Sequence, residues 1–285
     1  MRLDRRAALG VVGGALFPLG PARSAAQEPA LYSLRGRLSQ GGWAVGQTGR
    51  GMTAAWLDDA AIPVDPEGRF FLAFDRDAPP TARLAVGDGR ERAAPDLIAI
   101  APRAWRIEQI DAPLRPPGVP DAEFQRRRAE ELARIAAARA QGSEAQGSEA
   151  QGWRQAMIRP APGRVSGLFG AQRIYRGQPG SYHSGLDLAA AAGTPILAPA
   201  DGVVILAATS PFTLEGLLLM VDHGMGLTSA FLHCSAHTVR EGESVRQGQP
   251  IARVGMTGRA TGPHLHWGLR WRHARLDPLL FLPRG

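Results

Sequence analysis

The chain has 285 residues, of which 21% are charged and 44% hydrophobic, with a formal net charge of +7 at pH 7. This length allows one large or two modest domains, and the absence of a strongly basic run interleaved with aromatic residues argues against a nucleic-acid partner. The single cysteine, Cys234, excludes an intramolecular disulfide. We expect Cys234 to be a small buried apolar residue.

Residues 1–26 have the pattern of a cleaved signal peptide. The charged stretch MRLDRR precedes an uncharged apolar stretch and then the small residues Ser24, Ala25 and Ala26. The apolar stretch is shorter than the roughly 20 residues of a membrane helix and contains two prolines. We therefore expect export, with no stable membrane span after signal cleavage. The pair Arg5-Arg6 fits the twin-arginine route as well as the general one.

Residues 31–112 have the rhythm of a small β-domain. Short apolar runs such as LRGRL, RFFLAF and ARLAV alternate with Gly, Pro and Asp turns. The segment contains no histidine and offers no convergent catalytic residues. A packed accessory domain explains it better than a docking module or a cover over an active site.

Residues 113–152 are predicted to connect two domains. A proline-rich break comes first, and Asp121 can then cap a helix over AEFQRRRAEELARIAAARA. The helix is predicted to carry the i,i+4 pairs Glu123–Arg127 and Glu130–Arg134. Its apolar face is formed by Phe124, Leu132, Ile135 and Ala138. Both a solvated connecting helix and a regulatory helix fit this pattern.

The tandem repeat QGSEAQGSEAQG follows the helix and is predicted to be a linker, because it has nothing to bury and contains glycines. It places the start of the last domain near Trp153. Residues 153–285 then show closely spaced β-like runs, including GVVILAA, LLLMVDH, LTSAFLH and HLHWGLRW. The sequence therefore predicts a mostly β domain with all seven histidines of the chain.

The run PHLHWGL places two histidines on one side of a strand. Residues two apart in a strand share a face, so His264 and His266 point one way while Leu265, Trp267 and Leu269 point to a core. Gly268 follows on the histidine face and leaves room for substrate or another backbone. Taken alone, this pattern is a weak signal for a metal or acid–base site.

The segment YHSGLDLA supplies His183 and Asp187, separated by a turn-prone pair of small residues. Zinc accepts imidazole nitrogen and carboxylate oxygen, and three protein ligands leave a fourth position for water. This pattern is also weak alone, and a surface loop would explain it equally well.

The order of these motifs is far more specific than each motif separately. The blocks are HSGLDLAAAAGTPILAPADGVV, VDHGMGLTSAFLH, VREGESVRQGQPIARVGMTGRATGPHLHW and a terminal LDPLLFL. From about Pro160 to Leu282 the chain closely resembles the catalytic domain of the lysostaphin-type, or M23, zinc endopeptidases. The resemblance implies a C-terminal antiparallel-β peptidase domain in a mainly β chain, after the small β-domain and the connecting helix.

The resemblance also implies the residues of the site. It assigns one zinc ion to His183, Asp187 and His266, and catalytic roles to His264 and His233. Phe231 and Leu232 depart from the tyrosine and alanine that usually precede the histidine at the position of His233. Gly268 replaces a glutamate that is frequent after the second histidine of HLH. Neither departure removes a ligand or catalytic histidine. Of the remaining histidines, we expect His223 to be structural and His237 and His273 to be exposed.

The resemblance implies a zinc endopeptidase that hydrolyses peptide cross-links of peptidoglycan, most simply the D-alanyl–diaminopimelate link of a periplasmic setting. His264 and His233 share the roles of general base and oxyanion stabiliser, and we favour His264 as the base. Peptidoglycan peptide stems are the expected substrate, and an envelope regulatory protein is a candidate partner. The alternative is a non-catalytic envelope scaffold that activates a cell-wall amidase.

Overall fold

A computed structural model describes residues 30–111, 122–144 and 150–283. The predicted signal peptide, the proline-rich break, the capping residue Asp121 and residues 145–149 of the linker lie outside these ranges. Over the described residues the chain is mainly β, with one α-helix, as the sequence predicts. Among these residues, no helix has the length and apolar character needed to cross a membrane.

The predicted N-terminal β-domain is present and consists of two small antiparallel sheets. Its strands are β1 (Tyr32–Gly36), β2 (Trp43–Thr48), β3 (Ala54–Leu57), β4 (Ala60–Ile62), β5 (Arg69–Ala73), β6 (Thr81–Gly87) and β7 (Asp96–Ala99). One sheet has the order β1-β2-β5 and the other β4-β3-β6-β7. Phe70, Phe71, Leu72 and Leu84 are buried to within 1% exposure, which explains why these apolar runs contribute to a hydrophobic core.

Strand β8 (Ile107–Ile110) precedes the predicted connecting region, and helix α1 (Ala122–Glu144) lies within it. The helix continues to Glu144, so it includes the first four residues of the predicted linker.

The C-terminal domain is built around a long antiparallel sheet. Its strands are β9 (Arg164–Gly167), β10 (Gln172–Tyr175), β11 (Gln178–Pro179), β12 (Leu186–Ala189), β13 (Pro195–Leu197), β14 (Gly202–Ala207), β15 (Leu217–Asp222), β16 (Leu227–Cys234), β17 (Ala236–His237), β18 (Ser244–Val245), β19 (Pro250–Arg253), β20 (His264–Trp271) and β21 (Ala274–Leu276). Short 3-10 helices cover Gly152–Arg154 and Pro278–Leu280. The main sheet has the order β18-β14-β15-β16-β20-β12-β9, with β21 also paired to β20.

Smaller sheets flank the main one. Strands β13, β19 and β17 form a three-stranded antiparallel sheet, and β8 pairs in parallel with β10, which in turn pairs with β11. Strand β8 thereby joins the C-terminal domain, although it lies within the segment assigned to the accessory domain.

Helix α1 packs on the main sheet through only half of its predicted apolar face. Ile135 and Ala138 are buried against β14, β15 and β16, whereas Phe124 and Leu132 remain 36% and 49% exposed. The predicted ion pairs are wrong in their partners. Arg127 and Arg128 both bind the buried Glu131, and Arg134 binds Glu241 instead. Burial of Glu131 against Thr213 explains the preference, because its carboxylate also accepts two hydrogen bonds there.

The two β-domains share one continuous hydrophobic cluster. Trp43 of the N-terminal domain stacks on Phe281 at a centroid distance of 5.1 Å. Arg103 forms an ion pair of 2.7 Å with Asp277, whose side chain is 3% exposed. The accessory domain is therefore packed onto the C-terminal domain rather than tethered to it.

Candidate metal centre

Strand β20 carries two of the predicted site residues on one face. Leu265, Trp267 and Leu269 are buried to within 1% exposure, whereas the alternate residues are partly exposed. The predicted alternation is therefore confirmed, and His264 and His266 share the face that looks away from the core.

Strand β12 places Asp187 directly opposite His266. The two strands are antiparallel, and their register pairs Asp187 with His266 and Ala189 with His264. Leu186 and Leu188 are fully buried, so the carboxylate must face the same side as the two histidines. Two apolar residues in a four-residue strand thus determine where the carboxylate points.

His183 comes from the loop that precedes β12. Its backbone N–H donates to the carbonyl of Ala171 at 2.8 Å, and its own carbonyl accepts from Gly170. The ring Nδ1 lies 3.0 Å from the carbonyl oxygen of Leu168. A carbonyl only accepts, so Nδ1 carries a proton, and Nε2 is the ring atom that faces the site.

Three donor atoms converge at this point. His183 Nε2 lies 3.0 Å from Asp187 Oδ1 and 3.1 Å from His266 Nδ1, and the last two atoms are 2.9 Å apart. A tetrahedral zinc ion with bonds of about 2.0 to 2.1 Å holds its ligand atoms about 3.3 Å apart. Small outward movements of these side chains would therefore accommodate the ion, and the donor set of two imidazoles and one carboxylate suits zinc.

Two glycines allow this close approach. A Cβ at Gly185 would lie 2.6 Å from His266 Nε2 and from the carbonyl oxygen of Trp267. A Cβ at Gly167 would lie 2.3 Å from Asp187 Oδ2. A side chain at either position would displace one of the three convergent residues, a constraint that the sequence reasoning missed for both glycines.

His233 reaches the site through an irregularity in β16. Strict alternation would place it on the core face with Phe231, which is fully buried. Instead, the pairing of β15 with β16 shifts register near its end, and His233 has a φ of 63°. Such a backbone conformation is uncommon for a non-glycine residue. It turns the ring towards the opposite face, where its centroid lies 4.9 Å from that of His264.

His233 and His264 present the same ring nitrogen to the site. Nδ1 of His233 donates to the Thr257 carbonyl, and Nδ1 of His264 donates to the Gly262 carbonyl, both at 2.8 Å. Each ring therefore keeps Nε2 as a potential proton acceptor. Nε2 of His264 lies 3.9 Å from Asp187 Oδ1, beside the three donor atoms.

The electrostatics of the protein residues favour a charged carboxylate at the site. Burial alone would raise the pKa of Asp187, but hydrogen bonds from His183 and His266 outweigh it and lower the pKa below the ordinary value. Burial lowers the pKa of His266 and of His233, which favours their neutral, proton-accepting forms. For His183 the bond to Asp187 outweighs burial and raises the pKa.

The remaining histidines lie outside this cluster. His223 is fully buried between the Asp201 carbonyl and the Ser229 hydroxyl, which confirms a structural role. His273 is exposed as predicted, but His237 is half-buried in strand β17, so its predicted exposure is wrong. Cys234 is fully buried, as expected, and burial raises the pKa of its thiol to about 12.

The N-terminal domain supports the loop that carries His183. Arg76, with a side chain only 7% exposed, donates from Nε to the Gly170 carbonyl at 3.1 Å. Its guanidinium also lies 4.7 Å from the ring centre of Tyr182. Nothing in the sequence marks this arginine, because its partners lie about 100 positions away.

These features define a class of protein: a β-sheet domain with three convergent donor atoms that could hold one metal ion, flanked by two further histidines. Comparison with known proteins narrows the class. Residues 181–278 match the sequence model of peptidase family M23. The C-terminal domain of this chain is thus similar in sequence to peptidase family M23.

Relatives and solved structures agree with this assignment. The peptidoglycan DD-endopeptidases ShyA and ShyC of Vibrio cholerae are 37% and 41% identical over 110 and 106 residues, covering 37% and 36% of this chain. The DD-carboxypeptidase/endopeptidase Mpg of Neisseria meningitidis is 40% identical over 97 residues, or 34% of this chain. The matched region spans 24%, 24% and 22% of these relatives' own lengths.

One solved structure extends the similarity beyond the C-terminal domain. A crystal structure from Pseudomonas aeruginosa, described as that of a candidate M23 peptidase, covers 86% of this chain and is itself covered to 95%. The identity is 28% and the TM-score is 0.65. The combination of accessory domain and peptidase domain thus has a counterpart in another protein.

Proposed function

We propose that this protein is a zinc-dependent endopeptidase that hydrolyses peptide cross-links of peptidoglycan. One observation carries the proposal: three segments of the chain bring their site residues to one partly open point of the sheet surface, namely His183, Asp187, His233, His264 and His266. The side chains of His183 and Asp187 are 25% and 20% exposed, so a peptide can reach them.

The chemistry follows from the protonation states of the side chains. Zinc bound by His183, Asp187 and His266 would polarise the scissile carbonyl and acidify a bound water. Nε2 of His264, directed by the bond from Nδ1 to the Gly262 carbonyl, accepts the proton of the attacking water. His233 takes the other role: once its Nε2 has accepted a proton, that N–H stabilises the developing oxyanion. We assign the base to His264 because it lies on β20 next to His266 and approaches Asp187.

The substrate and compartment are inferred from the relatives. ShyA and ShyC are named for DD-endopeptidase activity on peptidoglycan, and Mpg for carboxypeptidase and endopeptidase activity. We infer the D-alanyl–diaminopimelate cross-link as substrate and the periplasm as location, the latter supported by the signal-peptide pattern of residues 1–26. A scaffold without catalysis is not favoured, because all five side chains are present and converge.

The test is digestion of isolated peptidoglycan sacculi by the purified protein without residues 1–26. We expect the native protein to release muropeptides of uncross-linked stems. His264→Ala and chelator-treated native protein should release none, and zinc should restore the latter. His273→Ala is the matched control, because His273 is an exposed histidine outside the cluster. Equal release by the native, His264→Ala and chelated proteins would contradict the proposal.

A further inference from the structure

A cavity of about 220 Å³ adjoins the metal centre, between helix α1 and the face of β16 and β20. His266 and Ser184 line its end nearest the site, and Ala230 and Gly268 line its floor. The remaining lining combines apolar side chains of α1, β15 and β16 with four arginines: Arg128 and Arg139 from α1, Arg270 from β20 and Arg275 from β21.

Positive charge in this cavity exceeds negative charge. Glu215 is the one carboxylate among the lining residues, and Arg128 already binds both of its oxygens, at 2.6 and 2.8 Å. Among the described residues, no carboxylate oxygen lies within 4 Å of the guanidinium nitrogens of Arg270 or Arg275. The nearby Asp75 instead accepts from the backbone N–H of Arg275.

The unbalanced charge is partly removed from water. Arg270 is half-buried, and its Nε donates to the Arg272 carbonyl, which fixes the guanidinium on the cavity wall. Burial first, and then the charge of Arg275, lower the pKa of Arg270. Burial, followed by the charges of Arg270 and Arg275, lowers the pKa of Arg139 to about 10. Like charges that are partly removed from water destabilise a folded protein, and a bound anion would reduce this destabilisation.

The floor of the cavity leaves space for a ligand between the metal centre and the arginines. A Cβ built on Gly268 would find no atom closer than 3.9 Å. His266, Gly268 and Arg270 follow one another on the same face of β20, so the ends of this row are about 13 Å apart along the strand. The guanidinium of Arg270 can therefore contact a substrate group that lies one or two residues from a peptide bond at the metal site.

We propose that this cavity binds a free carboxylate of the substrate peptide, within one or two residues of the scissile bond, through Arg270 with Arg139 and Arg275. This inference rests on the proposed endopeptidase function and adds its specificity. A planar guanidinium matches the two oxygens of a carboxylate, and such charge-assisted bonds are strong when partly shielded from water. In a direct cross-link to diaminopimelate, the residue on the amine side of the scissile bond keeps a free carboxylate, whereas an internal glycine of a bridge has none.

The test compares two cross-linked peptide dimers that differ only at this diaminopimelate carboxylate, which is free in one and amidated in the other. We expect the native zinc-loaded protein to prefer the free carboxylate by about 10- to 100-fold in kcat/KM. Arg270→Gln should lose this preference by cleaving the free-carboxylate dimer more slowly, mainly through KM. Its loss on the amidated dimer should be much smaller, and Arg270→Lys should recover part of the preference.

Arg253→Gln is the matched control, because Arg253 also donates to a backbone carbonyl but lies on β19, outside the cavity. Equal cleavage of the two dimers by the native protein, or an equal loss on both dimers in Arg270→Gln, would overturn the inference.

A binding measurement separates this inference from the proposed function. Calorimetry with the His264→Ala protein measures the affinity for each dimer without turnover. If the native protein cleaves neither dimer, the endopeptidase proposal fails. The anion site would still be supported if the His264→Ala protein binds the free-carboxylate dimer more tightly and the double variant with Arg270→Gln does not. Equal binding of the two dimers by the His264→Ala protein would reject the anion site.

Discussion

The two halves of the metal centre are held in different ways. Asp187, His264 and His266 lie on neighbouring strands, where alternation and register determine their direction. His183 lies in a loop, and His233 lies at a register shift with a left-handed backbone conformation. Asp187, His264 and His266 form the strand-borne half, which is fixed by the core beneath the sheet. His183 and His233 form the loop-borne half, which depends on individual hydrogen bonds and on the N-terminal domain. The comparison indicates where the site is most easily disturbed.

The largest effect is expected from removing the two proton-accepting rings, one from each half. His233→Ala and His264→Ala should each lower kcat by about 100- to 10,000-fold while the protein keeps its zinc, because neither ring is among the three convergent donors. Zinc content by mass spectrometry and cleavage of a cross-linked peptide measure the two properties. Loss of zinc from His233→Ala would show that this residue is a ligand instead.

The alternation in β20 predicts by itself that its two histidines share a face, whereas the other three site residues are predicted only through the family resemblance. A period of two places His264 and His266 together without further information. The same rule would send His233 into the core with Phe231, since neither the register shift nor the φ of 63° is visible in the pattern. The position of Arg76 and the extent of α1 depend on contacts across the fold, which a local pattern does not contain.

A second prediction concerns the space around His266. Gly185→Ala should weaken zinc binding by about 10- to 100-fold, because the added methyl would lie 2.6 Å from the His266 ring. Gly268→Ala is the matched control on the other side of the same ring, where the nearest atom is 3.9 Å away. Competition with a chelator gives both affinities. Equal affinities for the two variants would mean that this contact does not position the ligand.

The loop-borne half should also respond to a change in the N-terminal domain. Arg76→Ala removes the bond to the Gly170 carbonyl, and we expect it to lower the free energy of unfolding by about 1 to 3 kcal/mol. We also expect weaker zinc binding, because the same loop carries His183. Urea denaturation and chelator competition measure the two effects. Arg83→Ala, at an exposed ion pair with Asp59, is the control and should change neither.

The smallest expected effect is on the pH dependence of stability and concerns His223, which lies outside the site. Burial lowers its pKa to about 4 from an ordinary value of 6.5. Between about pH 6.5 and pH 4 the unfolded chain therefore binds a proton at His223 that the folded chain does not bind. The free energy of unfolding falls as the pH drops through this range, by up to about 3 kcal/mol. His223→Gln should flatten this slope relative to the native protein in urea titrations at each pH. An unchanged slope would assign the acid sensitivity to other groups.

Anomalous diffraction at the zinc edge, from crystals of the catalytically active protein, tests the central claim most directly. We expect one peak within bonding distance of His183 Nε2, Asp187 Oδ1 and His266 Nδ1, about 2.0 to 2.2 Å from each. We also expect the peak to be lost in Asp187→Ala. An active protein whose zinc lies elsewhere, or whose peak persists unchanged in Asp187→Ala, would contradict the account.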